Sequence, residues 1–285
     1  MNRIIVFYHT RGNLGPCADG FGAAWAAWRV FGNKAEYIGI QNGTEPLFEI
    51  KNAEVYFLDI GFRAEVMKRL VGQNKKVIFI DHHITRQDYL KFIPEGSFDL
   101  DSSGAVLAWK YFHPGKKVPK LLKYIEENDL WRFKMPKSRE LFSFIDMKPR
   151  DFRVWNKLAA GFENQENLKS YINEGGAIRQ YEERLVSSLV ENAEEVVFEG
   201  KKALAINSPV FMSEIGEYVR EVRKIPLAII WYKNNAIIGV SLRSSEGVDC
   251  VKIAQKYGGG GHPQAAGFSL REGQPFPWKR RGRVV

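Results

Sequence analysis

Cysteine is nearly absent from this chain: 285 residues carry two, Cys17 and Cys250, far apart in sequence. A disulfide-stapled scaffold is therefore not expected, and a reducing cytoplasm is the expected compartment. No apolar run approaches the roughly 18 residues that a membrane-spanning helix needs, so no membrane partner is expected. The first residues, Met1 to Tyr8, already read as a strand (RIIVFY) and lack a secretory signal pattern. Internal repeats and low-complexity segments are missing as well, which leaves no sign of a solenoid or a disordered array.

What is present fits a soluble globular protein: 45% hydrophobic and 26% charged residues. The length exceeds one average domain and suits two, at roughly 100–200 residues each. The formal charge is +9, from 42 Lys and Arg against 33 Asp and Glu. A positive surface draws in phosphates and other anions, although the same charge also serves solubility. The last residues, Trp278 to Val285 (WKRRGRVV), concentrate basic charge and read as a solvated tail, with RNA contact as the lesser alternative.

The first half alternates short apolar runs with helical patterns. Arg3–Tyr8, Ala35–Ile40, Val55–Leu58 and Lys76–Ile80 read as buried strands, Phe21–Phe31 and Arg63–Val71 as helices. This alternation predicts a parallel α/β sheet, and such sheets hold ligands beyond the carboxyl ends of their strands. From Val118 to Phe162 the pattern is mostly helical, and Asn167–Asn192 reads as one or two charged helices. A second α/β segment follows. Glu195–Phe198 pairs with Lys202–Ile206, Ser213–Val222 is helical, and Pro226–Tyr232 and Ala236–Leu242 are strands joined by a tight turn at Asn234-Asn235. The expected organisation is a metal-binding domain over residues 1–165, a helical link over 166–193, and a smaller substrate-binding α/β domain over 194–285, with the active site in the cleft between the domains.

Chemistry-bearing residues stand where the apolar runs end. His9 follows the first, Asp59 follows VYFL, and Asp81-His82-His83 follow KKVIFI; Asp19 and Asp129 are further candidates. Taken singly, an Asp there is a turn former or a cap, and a His is a hydrogen-bonded structural residue. Together, three strand ends carrying Asp or His favour one site. Carboxylates and imidazoles suit divalent ions of intermediate hardness such as Mn²⁺. Two such ions about 3.5–4 Å apart can drive an in-line displacement at phosphorus.

The run Val77-Ile78-Phe79-Ile80-Asp81-His82-His83 resembles the signature of the DHH phosphoesterase superfamily, which includes RecJ-type exonucleases, nano-RNases, cyclic dinucleotide phosphodiesterases and family II inorganic pyrophosphatases. Asp59 matches its second motif, Asp129 the aspartate after the third, and Asp19 the last aspartate of the first. Asp101-Ser102-Ser103-Gly104-Ala105 resembles the short Ser/Thr stretch that follows the triplet. The resemblance implies that Asp59 bridges two ions, that Asp19, His82 and Asp129 complete one site, and that His9 belongs to the other. It implies also that Asp81 orients a ligand histidine and that His83 faces the substrate phosphate or the attacking water. One departure stands out. The first motif is stretched (His9-Thr10-Arg11-Gly12-Asn13-Leu14-Gly15-Pro16-Cys17-Ala18-Asp19), and Cys17 occupies the place of its first aspartate. A thiolate is softer than a carboxylate, so two ions of unequal affinity are expected. They are Mn²⁺, or Mg²⁺, Co²⁺ or Zn²⁺ in its stead. Packing of Cys17 as a small buried residue is the equal alternative.

Near the end, Gly258-Gly259-Gly260-Gly261-His262-Pro263-Gln264-Ala265-Ala266-Gly267 is similar to the glycine-rich motif of the DHH-associated domain. Consecutive glycines allow a nest of backbone N–H groups for phosphate. The expected substrate contacts are Gly259, Gly260, Gly261 and His262, with Arg243 and Ser244 from the strand upstream. The implied activity is hydrolysis of phosphoester bonds in small nucleotides or short single-stranded oligonucleotides: nano-RNA, phosphoadenosine phosphate or cyclic dinucleotides. An exopolyphosphatase and a catalytically weak nucleotide-binding protein are the alternatives, and a homodimer is a candidate assembly.

Overall fold

A computed structural model describes residues 3–11, 17–46 and 48–280. The chain divides into two compact units, Met1–Arg179 and Gln180–Val285.

The first unit is built on five parallel strands: β1 (Arg3–His9), β2 (Ala35–Ile40), β3 (Ala53–Leu58), β4 (Lys76–Asp81) and β5 (Gly96–Phe98). Their order is β2-β1-β3-β4-β5. Alternation along each strand feeds two cores. Val6, Tyr56, Leu58, Ile78 and Ile80 face one side of the sheet, and Ile5, Phe7, Val55, Phe57, Val77 and Phe79 the other. Burial on both faces is why these strands read as continuous apolar runs. Helices α1 (Ala18–Phe31) and α3 (Gly104–Phe112) pack into the first core with α4 (Lys120–Asp129), α5 (Ser138–Asp146) and α6 (Phe152–Glu163), while α2 (Ala64–Gln73) covers the second. Helix α7 (Gln165–Glu191) runs across the point at which the chain divides.

The second unit holds β6 (Glu194–Phe198), β7 (Lys201–Asn207), α8 (Met212–Glu221), β8 (Leu227–Asn234), β9 (Ile237–Ser244), α9 (Cys250–Lys256), β10 (Gly260–His262), β11 (Ala265–Arg271) and β12 (Lys279–Arg280). Its described strands form one mixed sheet, β10-β11-β9-β8-β7-β6-β12. Ile215 and Val219 of α8 and Val190 of α7 pack on one face; Ile253 of α9 and Trp278 pack on the other.

Two expectations need correction. The tight turn falls one residue later, on Asn235-Ala236, with Asn235 at φ 53°. The basic tail starts as part of the sheet, with the side chains of Lys279 and Arg280 exposed. Trp278 is buried, Lys279 and Arg280 pair with β6, and Arg280 holds Glu194 at 2.6 Å; residues 281–285 lie outside the described residues. Gly258 and Gly259 donate to Gln255 O and Ala254 O, closing α9, and Gly260–His262 pair with β11. Among the described residues no helix is long and apolar enough to cross a membrane.

Candidate metal centre

The strand order fixes where the site stands. From β1 the chain passes to β2 on one side, then to β3, β4 and β5 on the other. Open parallel sheets bind ligands beyond the strand ends at such a reversal. His9 ends β1, Asp59 follows β3 directly, and Asp81 ends β4 with His82 and His83 next. Helices bring the rest: Asp19 from the first turn of α1, Asp129 as the last residue of α4, and Cys17 just before α1.

Asp59 is 2% exposed and sits at φ 60°, a backbone region that costs a residue with a side chain about 1–2 kcal/mol. The kink brings its two carboxylate oxygens to different partners. Oδ2 is 3.4 Å from His9 Nδ1, and Oδ1 is 3.3 Å from His82 Nε2 and 3.7 Å from His83 Nδ1. His82 Nε2 also lies 3.4 Å from Asp129 Oδ2 and 3.9 Å from Asp19 Oδ2. Three donor sets result, His9–Cys17–Asp59, Asp19–His82–Asp129 and Asp59–Asp81–His82–His83, each with its ligand atoms within 4.8 Å of one another. Gly12 to Pro16, the rest of the stretched first motif, lie outside the described residues.

Asp59 Oδ1 and His82 Nε2 are buried without a hydrogen-bond partner, close to each other but not aligned as a bond. An unsatisfied buried polar group costs roughly 1–3 kcal/mol, a cost that a cation among these donors removes. Carboxylate, imidazole and thiol together fit a divalent ion of intermediate hardness. The charges agree. Burial alone would lower the two imidazoles, but neighbouring acids more than reverse it. Asp59 and Cys17 hold His9 at about 11, and Asp59, Asp129 and Asp19 hold His82 at about 10. Asp19 is pushed up to about 6 by burial and by repulsion from Asp59. Burial would push Asp59 up, yet His82 and His9 hold it well below the usual carboxylate range.

The start of α3 supplies a part that the spacing of acids and histidines does not announce. Asp19 Oδ2 accepts Gly104 N at 2.8 Å and Oδ1 accepts Ala105 N at 3.0 Å. The positive end of a helix thus grips a buried carboxylate. Glycine is needed there: a Cβ at 104 would stand 2.7 Å from Asp59 Cβ and 2.9 Å from Asp19 Oδ2. The stretch 101–105 carried the signal, but only as a resemblance without a role.

Asp81 is fully buried and its oxygens are filled. Oδ1 accepts His82 N at 2.7 Å, His83 N at 2.9 Å and His83 Nδ1 at 2.6 Å; Oδ2 accepts Arg86 Nη1 at 2.9 Å. Although its position brings it near Asp59 and His82, those bonds suit it to orienting His83 rather than to binding an ion. Arg86 also donates to Asn42 Oδ1, and Asn42 Nδ2 lies 3.4 Å from His9 Nε2. Neither Asn42 nor Arg86 stands in a motif, and nothing in the residue pattern marked them.

In the second unit, Arg243, Ala265 and His262 are paired in one row across β9, β11 and β10, so their side chains share a face. The stem of Arg243 packs over Gly216, where a Cβ would come within 2.4 Å of Arg243 Cβ. Its guanidinium donates to Leu242 O at 2.9 Å and Ser213 Oγ at 3.4 Å, and His262 is exposed. Ser244 is fully buried and donates to Val248 O at 2.6 Å, so its hydroxyl serves the interior of this unit.

Residues 202–277 match the DHHA1 domain. The second unit of the chain thus carries a DHHA1 domain. The chain is similar to the uncharacterized protein R106 of Acanthamoeba polyphaga mimivirus, at 29% identity over 93% of this chain and 67% of that one. The fold resembles a solved DHH domain from a member of a ribosomal-protein family, with TM-score 0.58 at 14% identity, covering 95% of this chain and 83% of that one. It also resembles a pGpG-specific phosphodiesterase from Vibrio cholerae, with TM-score 0.50 at 12% identity, covering 95% of this chain and 94% of that one. Both halves of the DHH fold, a parallel sheet with helices and a second mixed sheet, are present here.

Proposed function

We propose that this chain is a divalent-metal-dependent phosphoesterase that hydrolyses phosphoester bonds in small nucleotides or short oligonucleotides. The carrying observation is the buried pair of ligand atoms without hydrogen-bond partners, Asp59 Oδ1 and His82 Nε2, inside a cluster of carboxylates and imidazoles. The DHHA1 match and the likeness to a phosphodiesterase fold support the same reading. Asp19, His82 and Asp129 would hold one ion, His9 and Cys17 the other, and Asp59 both. Bound there, such ions supply Lewis acidity toward a phosphoryl oxygen and lower the pKa of water.

The chain's own residues do the rest. Asp81 accepts a hydrogen bond from His83 Nδ1–H at 2.6 Å, which leaves His83 Nε2 to take a proton from the attacking water and return it to the leaving oxygen. Arg86 keeps Asp81 charged and in register. Within the second unit, Arg243 and His262 share a face of the sheet and offer donors to an anionic group. The test is phosphate or nucleotide release from a panel (a dinucleotide, 3′-phosphoadenosine 5′-phosphate, a cyclic dinucleotide and tripolyphosphate) with Mn²⁺ and with EDTA. Absence of Mn²⁺-dependent release from every member overturns the reading.

Metal uptake carries a pH signature. At pH 7 both His9 and His82 lie below their raised values of about 11 and about 10 and hold a proton, whereas ligation needs neutral imidazole. Mn²⁺ binding at pH 7 should therefore release at least these two imidazole protons, and affinity should rise with pH between 6 and 9. Calorimetry in buffers of different ionisation enthalpy measures the count; no proton release would refute ligation by these rings. The same titration should resolve two unequal steps, since the second donor set offers a thiol where a carboxylate would bind Mn²⁺ more tightly. Cys17→Asp should tighten the weaker step by about tenfold; two equal, tight steps in the unaltered protein would refute the role given to Cys17.

A further inference from the structure

Directly after Asp129 the chain makes two backbone excursions that side chains normally avoid. Trp131 lies at φ 53° and Phe133 at φ 50°. Bulky residues in this region are outliers that cost of order 1–3 kcal/mol each and persist only where the surroundings enforce them. Here Glu127 enforces them. Its carbonyl accepts Arg132 N at 2.8 Å and Phe133 N at 3.5 Å, and its buried carboxylate accepts Met135 N at 2.8 Å.

The strained turn holds two half-buried aromatic rings edge to face, Trp131 and Phe133, with centroids 4.8 Å apart. The guanidinium of Arg139, from the first turn of α5, lies 3.7 Å over the Phe133 ring and 5.7 Å from that of Trp131. A cavity of about 380 Å³ opens beside them, lined by Phe133, Lys137 and Arg139. None of this is needed to hold metal, and the cost of two left-handed bulky residues has no return in the core. Its position is informative. Trp131 is two residues from Asp129, a spacing of at most about 7 Å along the chain, which is nucleoside distance from a phosphate held at the centre.

We propose that Trp131, Phe133 and Arg139 form a stacking subsite for a nucleobase of the substrate, beside the metal centre. Planar aromatic side chains and guanidinium groups take a base by its face, with little regard to which base it is. The substrate class is thereby a nucleotide rather than an inorganic polyphosphate, with modest discrimination between bases. This inference rests on the phosphoesterase reading given above.

Two measurements on the full chain with Mn²⁺ separate the two ideas. First, AMP and GMP should quench a component of tryptophan fluorescence that Trp131→Phe removes, while ribose 5-phosphate should not. This readout needs no turnover. Quenching that persists in Trp131→Phe, or that ribose 5-phosphate matches, overturns the subsite. Second, Phe133→Ala and Trp131→Ala should raise KM for a dinucleotide about ten- to hundredfold, the size of one lost base stack of roughly 1–3 kcal/mol, with the loss falling on KM rather than kcat. Calorimetric Mn²⁺ binding identifies variants that retain the fold. Dinucleotide kinetics shifted less than twofold in folded variants refute the subsite and leave the phosphoesterase reading standing. Base-dependent quenching without hydrolysis of any substrate does the reverse.

Discussion

Asp59→Asn should abolish Mn²⁺-dependent hydrolysis, by about a thousandfold or more, while leaving the fold intact. Losing a partner that only supports a metal ligand costs about 10–100-fold, and Asp59 stands closer to the chemistry than that. Its two oxygens address His9 on one side and His82 on the other, so no single neighbour can replace it. Asparagine keeps the size of the side chain and tolerates positive φ, so the backbone at φ 60° is preserved. What is lost is the charge that holds two cations near one another. Calorimetry should show both Mn²⁺ steps weakened together, and far-UV circular dichroism should be unchanged. Turnover by this variant at the unaltered rate would sink the metal assignment.

Gly104→Ala should damage the site from a residue that touches neither metal nor substrate. The added methyl would stand 2.7 Å from Asp59 Cβ and 2.9 Å from Asp19 Oδ2, so something has to move. Either the start of α3 backs away, and Asp19 loses the N–H groups of Gly104 and Ala105, or Asp59 shifts. Overpacking of this kind costs typically 1–3 kcal/mol, about 3–10 °C in midpoint for a unit of this size. Mn²⁺ affinity should fall about 10–100-fold, as for other supporting partners of a metal site. Midpoint and affinity within error of the unaltered protein would mean that the helix end plays no part in holding Asp19.

The sequence and the structure meet most closely in the first unit, for a physical reason. A strand buried on both faces must be apolar throughout, so the run Val77–Ile80 announces itself, and the polar residues that end it are conspicuous. His9, Asp59, Asp81, His82 and His83 were visible in that way. Asp19 and Asp129 sit on helices, where a lone acid is unremarkable; they stand as further candidates, and only their resemblance to known motifs gives them a role. The helix end that grips Asp19 was hidden because backbone N–H groups belong to every residue and leave no letter in the sequence. Arg86 and Asn42 were hidden because their bonds join segments 44 residues apart with no pattern between them. In the second unit the glycine run left its own backbone pairing unannounced. Glycine suits a helix end, an edge strand and a nest alike, and its letters do not say which N–H groups close α9 or pair with β11.

The backbone at Asp59 leaves position 59 without a conservative substitute. Glutamate keeps the charge but carries a longer chain on a left-handed backbone that it rarely accepts. Asparagine and glycine keep the backbone but surrender the charge. In a saturation library, every member at this position should score as inactive, and the folded members should be few. At Asp129, on an ordinary helical turn, glutamate should retain measurable turnover. The contrast traces to one dihedral angle: the turn that lets a single carboxylate face two imidazoles also removes the alternatives by which such a residue could be exchanged.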